Sequence, residues 1–212
     1  MKVIVISSNR LDEKEADCIN EMFENGLMSF HLRKPKLSTV ELANYIKQIK
    51  PQFHKNIVIH SHHILAGKFN LGGIHFTKAH LRKTYKTWYR LKLLNFKRPL
   101  KSMILSASHS KLATLYDQEP YEYNYLFLSP IFDSLTGKYQ SGFYEEGLRA
   151  VNAKSGKKII ARGGIDASKV EKVKELGFYG MSLYSALWEK EKPLEEYLKV
   201  IRHCNEAGIE VD

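Results

Sequence analysis

Eight short runs rich in β-branched and aromatic residues recur along the chain, and stretches with helical spacing separate them. The runs cover residues 3–6, 27–32, 57–59, 73–76, 102–106, 125–128, 158–161 and 179–183. Helical segments are predicted over 12–25, from after Ser38 to near Pro51, and over 64–68, 109–116, 144–152, 168–176 and 193–205. Gly26 marks a stop, because glycine adopts the left-handed conformation that ends helices. Ser38 followed by Glu41 has the spacing of a capping box, in which each side chain satisfies the other's backbone N–H. A basic stretch, 77–99, joins the fourth run to the fifth.

Strands that alternate with helices imply a parallel sheet with right-handed crossovers. Eight repeats are the number that closes a (β/α)8 TIM barrel, so we expect an α/β fold of that type over 1–212 as a single compact domain. At 212 residues its loops must be lean. The competing architecture is an open doubly wound sheet. Its dinucleotide fingerprint would place Gly-x-Gly-x-x-Gly after the first strand, where this chain reads Ser7-Ser8-Asn9-Arg10-Leu11. Hydrophobic residues at 43% and charged ones at 26% support a sizeable core. No apolar run is long enough to span a bilayer. The start of the chain lacks the pattern of a signal peptide, and Cys18 and Cys204 lie far apart, so a reducing cytoplasm is the expected location.

The net charge of +10 suggests an anionic partner. Its distribution says more. Between Glu41 and Asp117 there is no Asp or Glu, while the same 75 residues hold 14 Lys and Arg and 7 of the 9 histidines. This third of the chain cannot supply a carboxylate to a metal ion.

In a barrel, chemistry belongs at the C-terminal ends of the strands. Those ends read His31-Leu32-Arg33, His60-Ser61, His75-Phe76-Thr77-Lys78, Ser106-Ala107-Ser108-His109, Ser129-Pro130, Arg162-Gly163-Gly164 and Tyr184-Ser185. Two glycines after a buried strand let backbone N–H groups approach an anion, although the same pair also makes a tight turn. Tyr184-Ser185 at the next strand end makes a phosphate cradle the better reading, because barrels commonly bind phosphate on the loops after strands seven and eight.

These strand ends resemble the thiamine phosphate synthase superfamily, which includes the TenI-type thiazole tautomerases. His31-Leu32-Arg33 resembles the family's Gln/His-Leu/Ile-Arg-Glu-Lys. Gly73-Ile74-His75-Phe76 resembles its Gly-Val-His-Leu/Val, and Ser108-His109-Ser110 its Ala/Val-His-Ser/Thr. Ser129-Pro130-Ile131-Phe132, with Ser134 and Thr136, resembles Gly-Pro-Val-Phe-x-Thr-x-Thr-Lys. Ala161-Arg162-Gly163-Gly164-Ile165 resembles Ala-Ile-Gly-Gly-Ile, and the run 180–187 resembles Gly-Val-Ser-Val-Ile-Ser-Ala-Ile. Six motifs in order point to the superfamily and not to one reaction within it.

The resemblance implies an enzyme of thiamine biosynthesis acting on a thiazole phosphate. Its synthases join a pyrimidine diphosphate to that phosphate and neutralise the leaving pyrophosphate with Mg²⁺ on carboxylates. Here the matching positions are His60-Ser61 and His80, and Pro35 replaces the Lys of the Arg-Glu-Lys motif, with Lys34 and Lys36 beside it. The tautomerases need only proton transfers and a phosphate site, so we expect a thiazole tautomerase with no cofactor. The alternative is a synthase using Mg²⁺. By resemblance, His109 is the acid–base residue, and histidine's pKa of about 6.5 suits it to that role. Arg33 would fork onto the substrate carboxylate. Ser134, Thr136, Lys138, Gly163, Gly164, Tyr184 and Ser185 would hold the phosphate, with Lys138 offset by one from the family lysine. His31, His60 and Ser108 complete the expected substrate-binding set.

Plainer readings stand beside these. His109 could be a solvated residue in the first turn of a helix, and His75 is expected to be a packed core histidine. His60, His62 and His63 have no cysteine nearby and lack the i, i+4 spacing of a helical pair, so no metal site is expected. Arg162 either reaches the ligand or pairs with Asp133 or Asp166. A second class of function is a non-catalytic binder of thiazole or thiamine phosphate. Tyr85, Trp88 and Tyr89 interleave with nine Lys and Arg over 78–101, a pattern able to hold single-stranded nucleic acid. An amphipathic basic helix gives the same pattern, so neither nucleic acid nor membrane is an expected partner. The resemblance adds a homodimer as the expected assembly.

Overall fold

A computed structural model describes every residue except 11, 13, 78, 79, 82–88, 90, 91, 93, 95–98, 134–137, 141 and 142. The strands are β1 (Lys2–Ile6), β2 (Phe30–Leu32), β3 (Ile57–Ile59), β4 (Gly73–Phe76), β5 (Ile104–His109), β6 (Tyr125–Leu128), β7 (Ile159–Arg162) and β8 (Gly180–Leu183). They follow one another in chain order as a closed, parallel barrel, the expected (β/α)8 fold. The helices are α1 (Glu15–Glu24), α2 (Thr39–Gln48), α3 (Ile64–Lys68), α4 (Glu145–Lys154), α5 (Val170–Glu175), α6 (Ser185–Trp188) and α7 (Pro193–Glu206). Most of the basic stretch 77–99 lies outside the described residues. Among the described residues, no helix is long and apolar enough to cross a membrane. Both cysteines are free thiols.

Backbone contacts divide the chain into two compact units, 6–107 and 1–5 with 108–212. In the first unit, α1 buries Ala16, Ile19, Met22 and Phe23 on one face, the i, i+3, i+4 pattern of an amphipathic helix. It begins three residues later than expected because Asp12 Oδ1 accepts the Lys14 N–H at 2.9 Å and makes a turn there. Gly26, at φ +92°, ends it, and the Leu27 N–H closes onto Met22 O at 2.9 Å. That closing turn is why β2 starts at Phe30 and not at Leu27. The capping box of α2 forms as the spacing predicts: Glu41 N–H donates to Ser38 Oγ at 3.3 Å, and Ser38 N–H to Glu41 Oε2 at 2.8 Å.

In the second unit, β6 and β8 are buried throughout and β7 is buried from Ile159 to Ala161, as strands covered on both faces must be. Leu148 and Val151 of α4, Val170 and Val173 of α5, and Tyr197, Val200 and Cys204 of α7 are buried in the core. β5 runs two to three residues later than predicted and ends on His109. The helix predicted over 109–116 is only a 3-10 turn, Ala113–Leu115.

Candidate functional site

His109 is the last residue of β5, so it is not the solvated first-turn residue that the plainer reading allowed. Its ring is engaged on both edges. Thr114 Oγ1 donates to Lys111 O at 2.8 Å, so its lone pair accepts from His109 Nδ1–H, also at 2.8 Å. His109 Nε2 lies 3.0 Å from Glu119 Oε1. Lys157 Nζ reaches the same carboxylate oxygen at 3.2 Å. Burial lowers the His109 pKa and the Lys157 charge adds to this, while Glu119 and Asp117 oppose them. With Nδ1 committed as a donor, a proton taken up on Nε2 makes the ring an imidazolium that faces the Glu119 carboxylate at 3.0 Å. The ring can pass that proton to another molecule once the Nε2–Glu119 bond is exchanged, and Lys157 remains as counter-ion to the released carboxylate. Sequence reasoning does not single out Glu119, Thr114 or Lys157. Glu119 lies just past the acid-free stretch, and that is the available signal.

Gly163 and Gly164 follow β7 with φ of +98° and +61°. A Cβ on Gly163 would sit 2.8 Å from Pro130 Cβ, and one on Gly164 would sit 2.6 Å from the Phe132 carbonyl oxygen. The pair is therefore required by backbone packing against 130–132, whatever else it binds. At the end of β8, Leu187 and Trp188 N–H both bond to Tyr184 O, which leaves the Ser185 and Ala186 N–H groups at the start of α6 outside the helix's own ladder. A cleft of about 380 Å³ has Gly164, Ser168, Ser185 and Ala186 in its wall, together with Lys190, Lys199 and the acidic residues Asp166, Glu189 and Glu196. The structure thus sets Gly164 and Ser185 in the wall of one cleft. Gly163 and Tyr184 do not line that cleft. Lys138 is exposed, and its carbonyl accepts the Asp133 N–H at 2.8 Å. Ser134 and Thr136 lie outside the described residues.

In the other unit, Arg33 follows β2. Ser7 pins its backbone, with Arg33 N–H donating to Ser7 Oγ at 2.8 Å and Ser7 Oγ donating to Arg33 O at 3.0 Å. The residue is half-buried, and its guanidinium Nη1 donates to Asn9 Oδ1 at 3.4 Å in an exposed contact. Lys34, beside the position where the family closes its motif with lysine, is turned inward: its ammonium pairs with Glu15 and donates to Arg10 O at 2.7 Å. Ser61 Oγ is buried without a hydrogen-bond partner.

The histidines that neighbour each other in sequence part company. His62 lies 2.7 Å from Thr39 Oγ1 and 3.1 Å from Leu37 O, and His63 lies 3.2 Å from His75 O. His60 instead joins His31 and His75. The β3–β4 ladder pairs Val58 with Gly73 and Ile59 with Ile74, so the next step sets His60 beside His75. Parallel strands lie about 4.8 Å apart, which puts side chains of one row face to face. The two rings stack at 4.0 Å with 22° between their planes. His31 Nδ1 reaches His60 Nε2 at 2.9 Å, and His75 Nδ1 reaches Ser106 Oγ at 2.9 Å. His75 is a packed, hydrogen-bonded histidine as expected, and its neighbours are two further imidazoles.

The family model described as thiamine monophosphate synthase matches residues 3–187. Among solved structures, a thiamine phosphate pyrophosphorylase from Bacteroides thetaiotaomicron is 26% identical, with a TM-score of 0.75, covering 97% of this chain and 98% of its own. Another, from Pyrococcus furiosus, shares the fold at 19% identity and a TM-score of 0.74, covering 97% of this chain and 96% of its own. A (S)-3-O-geranylgeranylglyceryl phosphate synthase from Thermoplasma acidophilum shares it at 12% identity and a TM-score of 0.67, covering 97% and 93%. No curated protein matches the sequence.

Proposed function

Because the chain belongs to the thiamine monophosphate synthase family, a family of thiamine biosynthesis, we propose that it is a thiazole tautomerase that moves protons on a carboxylated thiazole phosphate. The observation that carries this reading is the 3.0 Å approach of His109 Nε2, at the end of β5, to Glu119 Oε1. Isomerisation of a conjugated ring removes a proton from one carbon and returns a proton to another, with no group gained or lost. A base with a depressed pKa is neutral at physiological pH and ready for the first step, and its conjugate acid serves the second. Thr114 holds Nδ1–H, so Nε2 is the nitrogen that carries the proton. Lys157 Nζ, 3.2 Å from the same Glu119 oxygen, stays paired with that carboxylate while the ring turns to the substrate.

The remaining groups bind and orient. Arg33 takes the carboxylate through its fork of N–H donors. The Gly163-Gly164 turn, Ser185, Tyr184, Lys138, Ser134 and Thr136 take the phosphate. Ser108 lies next to His109 in the chain and lines the substrate's approach. The donor set does not fit Mg²⁺: His60, Ser61 and His80 stand where the resemblance places Asn and Asp, and Mg²⁺ prefers oxygen ligands. No step is therefore assigned to that ion.

A second reading, thiamine phosphate synthase, is favoured by the 26% identity to a thiamine phosphate pyrophosphorylase. Turnover of each substrate set, with and without added Mg²⁺, separates the two. The tautomerase reading expects isomerisation at an equal rate in both conditions. Mg²⁺-dependent formation of thiamine phosphate, with no isomerisation, overturns it.

A further inference from the structure

We propose that His31, His60 and His75 form a binding site for a divalent transition-metal ion of the zinc class. The tautomerase reading leaves these residues out of its proton transfers, and the proposal gives His31 and His60 a metal in place of the substrate contact expected from the sequence. The three imidazoles come from β2, the end of β3, and β4, and their candidate ligand atoms all lie within 4.8 Å of one another. They are 0%, 4% and 2% exposed.

The donor chemistry selects the ion. Three neutral nitrogens with no carboxylate match zinc, cobalt, nickel or copper, whereas magnesium and calcium require oxygen. The acid-free stretch 42–116 contains both His60 and His75, so local sequence supplies no competing hard ligand. Ser106, 0% exposed, sits 2.9 Å from His75 Nδ1. A hydrogen bond of this kind fixes the tautomer of a ligating histidine, with the proton on Nδ1 and the lone pair on Nε2. Three protein ligands leave the fourth tetrahedral position to water, hydroxide or an anionic group of a bound molecule. An anion there offsets the charge of a dication among neutral ligands.

Ligand atoms on a tetrahedral zinc lie about 3.3 Å apart, from bond lengths of about 2.0–2.1 Å. Here the candidate ligand atoms lie within 4.8 Å of one another, with His31 Nδ1 and His60 Nε2 at hydrogen-bond distance, 2.9 Å. Binding therefore breaks the His31–His60 hydrogen bond and turns the rings about their χ angles.

The test uses the full chain, free of any histidine tag, titrated with Co²⁺ as an optical stand-in for zinc. One Co²⁺ per chain should bind with the visible d–d bands of a four-coordinate site, zinc should displace it, and excess Mg²⁺ should not. His31→Gln, His60→Gln and His75→Gln should each weaken binding roughly 100-fold or more, and Ser106→Ala about 10- to 100-fold. His62→Gln, which alters a ring tied to Thr39 and Leu37, should leave it unchanged. Should a glutamine variant fail to fold, the wild-type proton NMR spectrum decides: three exchangeable, hyperfine-shifted imidazole N–H signals are expected in the Co²⁺ form. The proposal is overturned if folded wild-type protein takes up no Co²⁺, shows fewer than three such signals, or binds equally well after each of the three substitutions. The cluster is then a buried hydrogen-bonded trio and nothing more.

Discussion

Lys34 and Glu15 form an ion pair from which solvent is almost wholly excluded, with side chains 2% and 1% exposed. The Ser8 N–H also donates to Glu15 Oε1 at 2.8 Å, and the Lys34 ammonium lies 5.3 Å from the Tyr45 ring centroid. Removing one partner of such a pair leaves a buried charge, at a cost of about 3–5 kcal/mol, whereas replacing both is often close to neutral. Lys34→Met should therefore lower unfolding stability by about that amount, and Lys34→Met with Glu15→Gln should recover most of the loss. Urea unfolding of the four proteins measures this. Equal losses in the single and double variants would refute the pairing energy.

The same pair has a pH signature. Burial raises the Glu15 pKa, against the opposing Lys34 and Ser8 interactions. The folded protein then binds this proton more tightly than the unfolded chain does. The contribution is fully present below the unfolded value of 4.5 and is lost as pH rises through the folded value. Glu15→Gln should flatten that segment of the stability–pH curve. A curve of unchanged slope in the variant would show that the titration belongs elsewhere.

His109 titrates with the opposite sign. Its folded pKa lies below 6.5, so its contribution to stability is present above 6.5 and falls as pH drops through the folded value. The low-pH limb of tautomerisation should follow the same group. Glu119→Gln removes a charge that raises the His109 pKa and should shift the limb to lower pH. Lys157→Met removes a charge that lowers it and should shift the limb upward. His109→Ala should abolish turnover while thiazole phosphate still binds. Rate profiles of the four proteins check this, and limbs that stay together would remove His109 from the chemistry.

Arg33→Met should raise KM for a carboxylated thiazole phosphate about 10- to 100-fold, the loss expected when a charge-assisted hydrogen bond disappears. A thiazole phosphate without the carboxylate should bind both proteins alike. Calorimetric titration with the two ligands gives the comparison.

The glycines should separate by what surrounds them. Gly26 has φ +92° and open space where a Cβ would stand, so Gly26→Ala should cost about 1 kcal/mol. Gly164→Ala adds a 2.6 Å clash with the Phe132 carbonyl to a φ of +61° and should cost several times more. Thermal unfolding of the two variants tests the order.

Much of the fold is legible in the sequence because its signals are local. The apolar runs at 57–59, 73–76 and 125–128, the capping box of Ser38 and Glu41, and the Gly26 stop depend on residues within a few positions of one another. The end of β5 lies beyond the sequence expectation, since apolar character fades through Ser106, Ala107 and Ser108 while the ladder with β4 holds Phe76 against Ala107. The glycine pair at 163–164 can be read, but its reason cannot: the constraint is the chain at 130–132, more than thirty residues away.

The amino-acid sequence by itself determined the alternation of strand and helix and the acid-free third. Tertiary structure alone decided which groups meet. It withdrew Lys34 onto Glu15, set Glu119 on His109, and dispersed His62 and His63 while drawing His31, His60 and His75 together. For His31, His60 and His75 strand register is the physical reason, because it is set by the packing of whole strands, and a slip of one residue would turn such a side chain to the other face of the sheet.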